Sequence, residues 1–130
     1  MSIPDPMSLI HVWMGTNTQT VAAFTQYFTV KSGNRDAIVE ATQFDKDLGI
    51  DWYDDDLIGV YYEEDNEDLE AALDELPTTD QALDQIRAKC AEVGITKANA
   101  MFYYKDADLQ VAEPSKLYNG LAYLGAFNNS

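Results

Sequence analysis

Cysteine and histidine are almost missing from this sequence, with one of each in 130 residues. A single cysteine excludes an intramolecular disulfide, and with it the stapled scaffolds of small secreted domains. With so few soft ligands, a zinc site would have to be built mainly from carboxylates, which is unusual. No apolar run approaches the roughly 20 residues that span a bilayer, and MSIPDPMS has neither the basic nor the apolar segment of a signal peptide. Basic residues are scarce as well: eight face 23 acids, for a net charge of −15. Such a field repels nucleic acid and anionic membranes and attracts basic surfaces. These absences point to a cytoplasmic protein with no direct contact to nucleic acid or membrane.

What is present is a core and a localised surplus of acid. A hydrophobic fraction of 46% over 130 residues suits one globular domain, preceded by a short tail at residues 1–6. Residues 45–80 hold fifteen of the acids and only one base, Lys46. Solubility alone does not require the charge to be confined to one segment, so we read the region as a functional face. Its densest part, Gln43 to Glu64, interleaves the acids with Phe44, Leu48, Ile50, Trp52, Tyr53, Leu57, Ile58 and Val60. A solvated linker is poor in such residues. The expected form is a helix ending at Gly49, an acidic turn at Asp51–Asp56 with its carboxylates outward, and a strand from Leu57 to Tyr62.

Along the chain, Leu9–Met14 is apolar at consecutive positions, as in a covered, central strand. Thr16–Thr18 offer N-caps for a helix to about Phe28, with Val21, Phe24, Tyr27 and Phe28 as its apolar stripe. Lys31–Arg35 reads as a turn, and Asp36–Leu48 as a helix closed by Gly49. Glu63–Glu75 has the composition of a helix with Leu69, Ala72, Leu73 and Leu76 inward. Pro77 stops it, and Thr79 caps the next helix, where Leu83, Ile86, Cys90 and Val93 face inward and Gly94 ends the run. Ala98–Tyr104 reads as a strand, Lys105–Lys116 as a polar connection, and Tyr118–Phe127 as a last strand whose Gly120 and Gly125 mark a bulge or close approach. With no helix between them, the last two strands are expected to pair as an antiparallel hairpin. The order β-α-α-β-α-α-β-β predicts an α+β fold: a single antiparallel or mixed sheet of about four strands with a helical layer packed on it.

Chemistry is largely absent. His11 sits mid-strand among apolar residues and reads as structural, not as a general base. There is no G-x-S-x-G, no phosphate-cradling glycine loop and no H-E-x-x-H. A calcium loop begun at Asp45 puts its glycine one place early and ends on Asp56 where a bidentate Glu is needed. No catalytic residue, metal or cofactor is expected. What remains is binding to a basic protein, in which carboxylates steer and aromatics anchor. The candidate contacts are Asp51, Trp52, Asp54, Asp55, Asp56, Tyr61, Glu63, Glu64, Asp65, Glu67 and Asp68. Sheet packing is the alternative role for Trp52 and the tyrosines, and for Trp52 the two readings are about equal. An acidic adaptor or chaperone-like module, or a weak carboxylate metal-binding protein, are the alternatives.

The order of motifs adds a resemblance. Trp13–Asn17 (WMGTN) follows the first strand, Gln43–Leu57 (QFDKDLGIDWYDDDL) lies at the centre, and Tyr123–Phe127 (YLGAF) closes the chain. This resembles the bacterial immunity proteins of polymorphic-toxin systems, most closely the immunity protein 22 family. The specific element is F-x-K-D-x-G-I-D-W-Y-D-x-D, and the signature positions are Trp13, Gly15, Phe44, Asp47, Gly49, Trp52, Tyr53, Asp54 and Asp56. The resemblance implies a cytoplasmic antitoxin encoded beside a secreted or contact-delivered toxin. It would bind and block the toxin's C-terminal domain, frequently a nuclease, whose phosphate-holding groove must be basic. It implies no catalytic residues. Exposed edge strands would leave room for a homodimer, and the oligomeric state stays open.

Overall fold

Strand β1 (Leu9–Gly15) runs through the middle of the protein, and five consecutive residues of it, Ile10–Met14, are buried. The structure is a computed structural model that describes residues 9–28, 42–49, 57–106, 109–111, 113 and 115–128. The tail at 1–6, the Lys31–Arg35 turn, the first part of the helix expected from Asp36 and the acidic turn Asp51–Asp56 lie outside these residues. Alternation along a strand sends Ile10, Val12 and Met14 to one face and Trp13 to the other. Each face needs its own cover.

The cover comes from helices on both sides. On the Trp13 side, α1 (Val21–Gln26) and α2 (Gln43–Leu48) bring in Phe24, Phe44 and Leu48, joined by Tyr27 and Phe28. Trp13 stacks on Phe102 with ring centroids 4.7 Å apart and meets Phe44 edge-on at 5.7 Å, the offset and perpendicular arrangements that aromatic quadrupoles favour. On the opposite side, α3 (Leu69–Asp74) and α4 (Asp80–Glu92) supply Ala72, Leu73, Ile86 and Cys90, with Leu76 beyond them. The Cys90 thiol lies 3.9 Å from the Met14 sulfur, and burial pushes its pKa up to about 11, so it acts as a small hydrophobe. The single helical layer expected from sequence is therefore two layers, because β1 is apolar on both faces.

Among the described residues the sheet has five strands in the order β2-β3-β1-β5-β4, with β2 Ile58–Tyr62, β3 Ala100–Lys105, β4 Leu117–Tyr118 and β5 Leu121–Asn128. Every pairing is antiparallel. The expected hairpin between the last two long strands does not form. β1 inserts between β3 and β5 and bonds to both, which satisfies its main chain on each edge. The actual hairpin joins β5 to the two-residue β4, so the single last strand expected over Tyr118–Phe127 is split by a turn. Its turn residues Asn119 and Gly120 both have positive φ, 53° and 81°, the primed-turn geometry that Asn-Gly favours. Gly125 takes φ 121° beside a register shift between Val12 and Trp13, so this glycine does mark a bulge.

Helix boundaries moved where polar side chains had other partners. Thr20, not Thr16–Thr18, caps α1 by accepting the Ala23 N–H, and Val21 is 51% exposed. Asp68 caps α3, so Glu63–Glu67 are not helical. Thr79 caps α4 as expected, while Val93 falls in the turn before Gly94 and is exposed. Helix α2 opens on a reciprocal capping box: Thr42 Oγ1 accepts the Asp45 N–H at 3.1 Å, and Asp45 Oδ2 accepts the Thr42 N–H at 2.9 Å. It ends at Gly49 in the left-handed region. Asp45 is thus fully buried, not turned outward. Asp47 accepts from the Tyr27 hydroxyl at 2.6 Å and pairs with Lys116 at 3.5 Å. The first half of the central motif, Phe44 to Gly49, is a set of fold determinants.

The lone histidine is fully engaged. His11 Nε2 is 2.8 Å from the Asp106 carbonyl, which can only accept, so Nε2 carries the proton and Nδ1 accepts from the Tyr123 hydroxyl at 2.8 Å. Burial lowers the His11 pKa, and it raises that of Tyr123 to about 12.

Two outcomes are expected. Thr42→Ala removes half of the capping box and should lower unfolding free energy by about 1–2 kcal/mol, read as a lower urea midpoint with unchanged slope. Because the folded-state pKa of His11 lies below its unfolded value near 6.5, its contribution is fully present above that pH and is lost as pH falls toward the folded value. Melting temperature should therefore drop between pH 7 and 5.5, and His11→Gln should flatten that slope.

Candidate functional site

At the end of the sheet where β1 and β2 finish and β3 begins, the chain leaves a polar concavity of about 480 Å³. One wall is the loop Thr16–Thr20 between β1 and α1. The other is Tyr62 with Glu64, Asp65 and Glu67, from the segment between β2 and α3, and Asn99 lies at the base. A second hollow of about 410 Å³ adjoins it, shares Thr16 and Glu67, and is bordered by Lys97 and Leu117.

A buried strand followed by five polar residues must find partners for the main chain that leaves the sheet. Three asparagines do this. The Asn99 side chain accepts the Asn17 N–H at 2.7 Å and donates to the Asn17 carbonyl at 2.8 Å, as a further rung of sheet would. The Asn17 side chain accepts the Gln19 N–H at 2.8 Å and donates to the Asn119 carbonyl at 2.7 Å. The Asn119 side chain accepts from Gln19 Nε2 at 2.9 Å and donates to the Phe24 carbonyl at 3.1 Å. Each amide thus uses both its oxygen and its nitrogen. The Tyr62 hydroxyl completes the latch by donating to the carbonyls of Asn17 and Gln19. Burial, and after it the Glu64 carboxylate, raise the Tyr62 pKa, so the phenol keeps the proton that it donates.

The acidic wall is differently made. Glu64 accepts the Val21 N–H at 3.0 Å and so covers a free donor at the start of α1. Asn66 accepts the Asp68 N–H, and Asp68 in turn accepts the Glu70 N–H at 3.1 Å as the α3 cap. Glu63, Glu64, Asp65, Glu67 and Asp68 are all exposed, and among the described residues none of them pairs with a Lys or Arg. The neighbouring acid Glu70 does pair, through a two-pronged contact with Arg87 at 2.9 and 3.1 Å. Arg87, Lys89 and Lys116 each pair with acids outside the loop.

The structure brings together five of the residues singled out from sequence: Glu63, Glu64, Asp65, Glu67 and Asp68, with Asp68 also serving as a helix cap. Tyr61 is half-buried and packs against the core on the α3–α4 side. Burial, then Glu63, Glu75 and Asp68, raise its pKa. Asp51, Trp52, Asp54, Asp55 and Asp56 lie outside the described residues. Sequence reasoning missed Asn17, Gln19, Asn99 and Asn119. The one available signal was Asn99, a polar residue just ahead of the apolar run that forms β3. Among the described residues no three His, Cys, Asp or Glu side chains are grouped so as to hold a metal ion, and no helix there is long and apolar enough to cross a membrane.

Asn99→Ala should free the Asn17 main chain and cost about 1–3 kcal/mol. The expected signature is faster amide exchange at Asn17 and Gln19, with little change at Trp13 and Phe102.

A family model described as immunity protein 22 matches residues 10–129. No curated protein and no solved structure matches the chain.

Proposed function

We propose that this chain, which belongs to the immunity protein 22 family by the match over residues 10–129, neutralises a toxin by meeting its basic C-terminal domain with the acidic loop between β2 and α3. Family membership supports an immunity role in general, that of an inhibitor binding a cognate toxin. The observation that carries the finer reading is the set of exposed carboxylates Glu63, Glu64, Asp65 and Glu67, which form no ion pair among the described residues and sit beside a latched loop. A loop held in place presents its charges without the cost of ordering them on binding.

A nuclease is the toxin class that fits best. Its substrate groove must be basic to hold phosphates, and an acidic loop can fill that groove or obstruct it from beside. Long-range attraction between the two surfaces speeds the encounter, which matters for an inhibitor that must outrun an enzyme. The aspartates of the Asp51–Asp56 turn, with Trp52 as an anchor, extend the same contact, as does the exposed side of Tyr61. The setting proposed is the cytoplasm of the cell that makes both proteins.

Asp65→Lys combined with Glu67→Lys tests this, because neither side chain caps a helix or joins the latch. With the toxin domain encoded beside this protein as partner, titration calorimetry should show affinity at low salt reduced at least tenfold and a shallower salt dependence. An unchanged affinity in a variant that melts like the parent would discard the acidic contact. Loss of protection against the toxin in cells should follow the loss of affinity.

A further inference from the structure

Among the described residues strand β2 is an edge of the sheet, and its own sequence carries none of the usual devices that close an edge. Among the described residues its one ladder partner is β3. The register runs without interruption from Ile58↔Tyr104 to Tyr62↔Ala100. At the two ends of that ladder Lys105 N–H donates to the Leu57 carbonyl and Glu63 N–H donates to the Asn99 carbonyl. Odd-numbered residues thus bond inward, and antiparallel alternation turns the main-chain N–H and C=O groups of Ile58, Val60 and Tyr62 away from β3. These groups have no partner among the described residues. Natural sheets normally protect such an edge with a charged side chain, a proline, a bulge or a covering element. Ile58–Tyr62 (IGVYY) contains no charge and no proline, it has no bulge, and Val60 is 44% exposed.

We propose that the free edge of β2 receives an extended strand of the toxin domain, which adds to the sheet as a sixth strand and carries basic residues at the end that meets Glu63, Glu64 and Asp65. This rests on the immunity reading above and says how the partner is held. Main-chain bonds along Ile58–Tyr62 supply affinity in the manner of strand addition, and the acidic loop supplies direction and selectivity. Tyr62 and Glu64 both line the polar concavity, so the edge leads into it, and its oxygen-rich wall suits a lysine or arginine from the added strand. A second copy of this chain is the poorer occupant. Its β2 would bring the same carboxylates with it, on a protein of net charge −15.

Val60→Pro is the test. The Val60 N–H points outward, so proline removes no bond within the sheet, while it deletes the central donor that an added strand would use. Residue 59 is glycine and tolerates the restriction that a following proline imposes. Calorimetry with the toxin domain should show at least tenfold weaker binding for V60P, with its circular dichroism spectrum retained. In the parent complex, the amides of Ile58, Val60 and Tyr62 should exchange at least tenfold more slowly than in the free protein. Should V60P fail to fold, the exchange measurement on the parent decides alone. Parent binding with those three amides unprotected would overturn strand addition and leave the immunity reading standing. No parent binding to a folded toxin domain would overturn that reading and this one with it. Protection of the three amides in a dimer without toxin would reassign the edge to a second copy.

Discussion

A strand apolar on both faces and bonded on both edges sets the terms for everything else in this protein. Burying Ile10, Val12 and Met14 against one pair of helices and Trp13 against another leaves β1 no exposed surface along its middle. The two helix pairs, the strand order and the strand pairings can all be read as answers to that one requirement. Area removed from water supplies the driving force, and the hydrogen bonds of β3 and β5 keep the central main chain from being buried unpaired. The cost of so complete an enclosure appears at its end, where a buried strand has to become a surface loop within a residue or two.

The asparagine latch solves that problem and, in doing so, shapes the concavity. Asn99 imitates a strand partner for Asn17, and Asn119 comes from the distant β4–β5 turn to tie down Gln19 and the carbonyl of Phe24. Local side-chain bonding of this kind competes with helix formation, which is why α1 begins at Val21 and not three residues earlier. The loop that results is tied down by side-chain hydrogen bonds, and the acidic segment leans on it and on the start of α1 through Tyr62 and Glu64.

Carboxylates in this chain divide into two populations by the partners they find. Asp45 and Asp47 are absorbed by the fold: one closes a capping box, and the other takes the Tyr27 hydroxyl and Lys116. Glu63, Glu64, Asp65 and Glu67 are exposed and, among the described residues, form no ion pair with Lys or Arg. Since exposed pairs contribute little to stability in any case, leaving these acids without an ion pair costs the fold almost nothing. Among the described residues the outward main-chain groups of the neighbouring strand β2 likewise have no partner.

Much was legible from local signals. Consecutive apolar residues at Leu9–Met14 identified the central strand, Gly49 and Gly94 marked the ends of α2 and α4, Thr79 marked the start of α4, and Gly125 marked a bulge, because each depends on near neighbours in the chain. The acid surplus and the immunity protein motif were likewise visible in one dimension. Partner choice over long separations was not. Whether β5 pairs with β3 or with β1, whether helices cover one face or two, and whether Asp45 points out or in depend on which buried groups must be satisfied once the chain has closed on itself. The Asn17–Asn99–Asn119 latch joins residues far apart in sequence, and no spacing rule brings them together. Composition and periodicity decided what had to be buried; only the tertiary structure decided which polar groups the fold would absorb and which it would leave at the surface, because burial and satisfaction are properties of the whole fold.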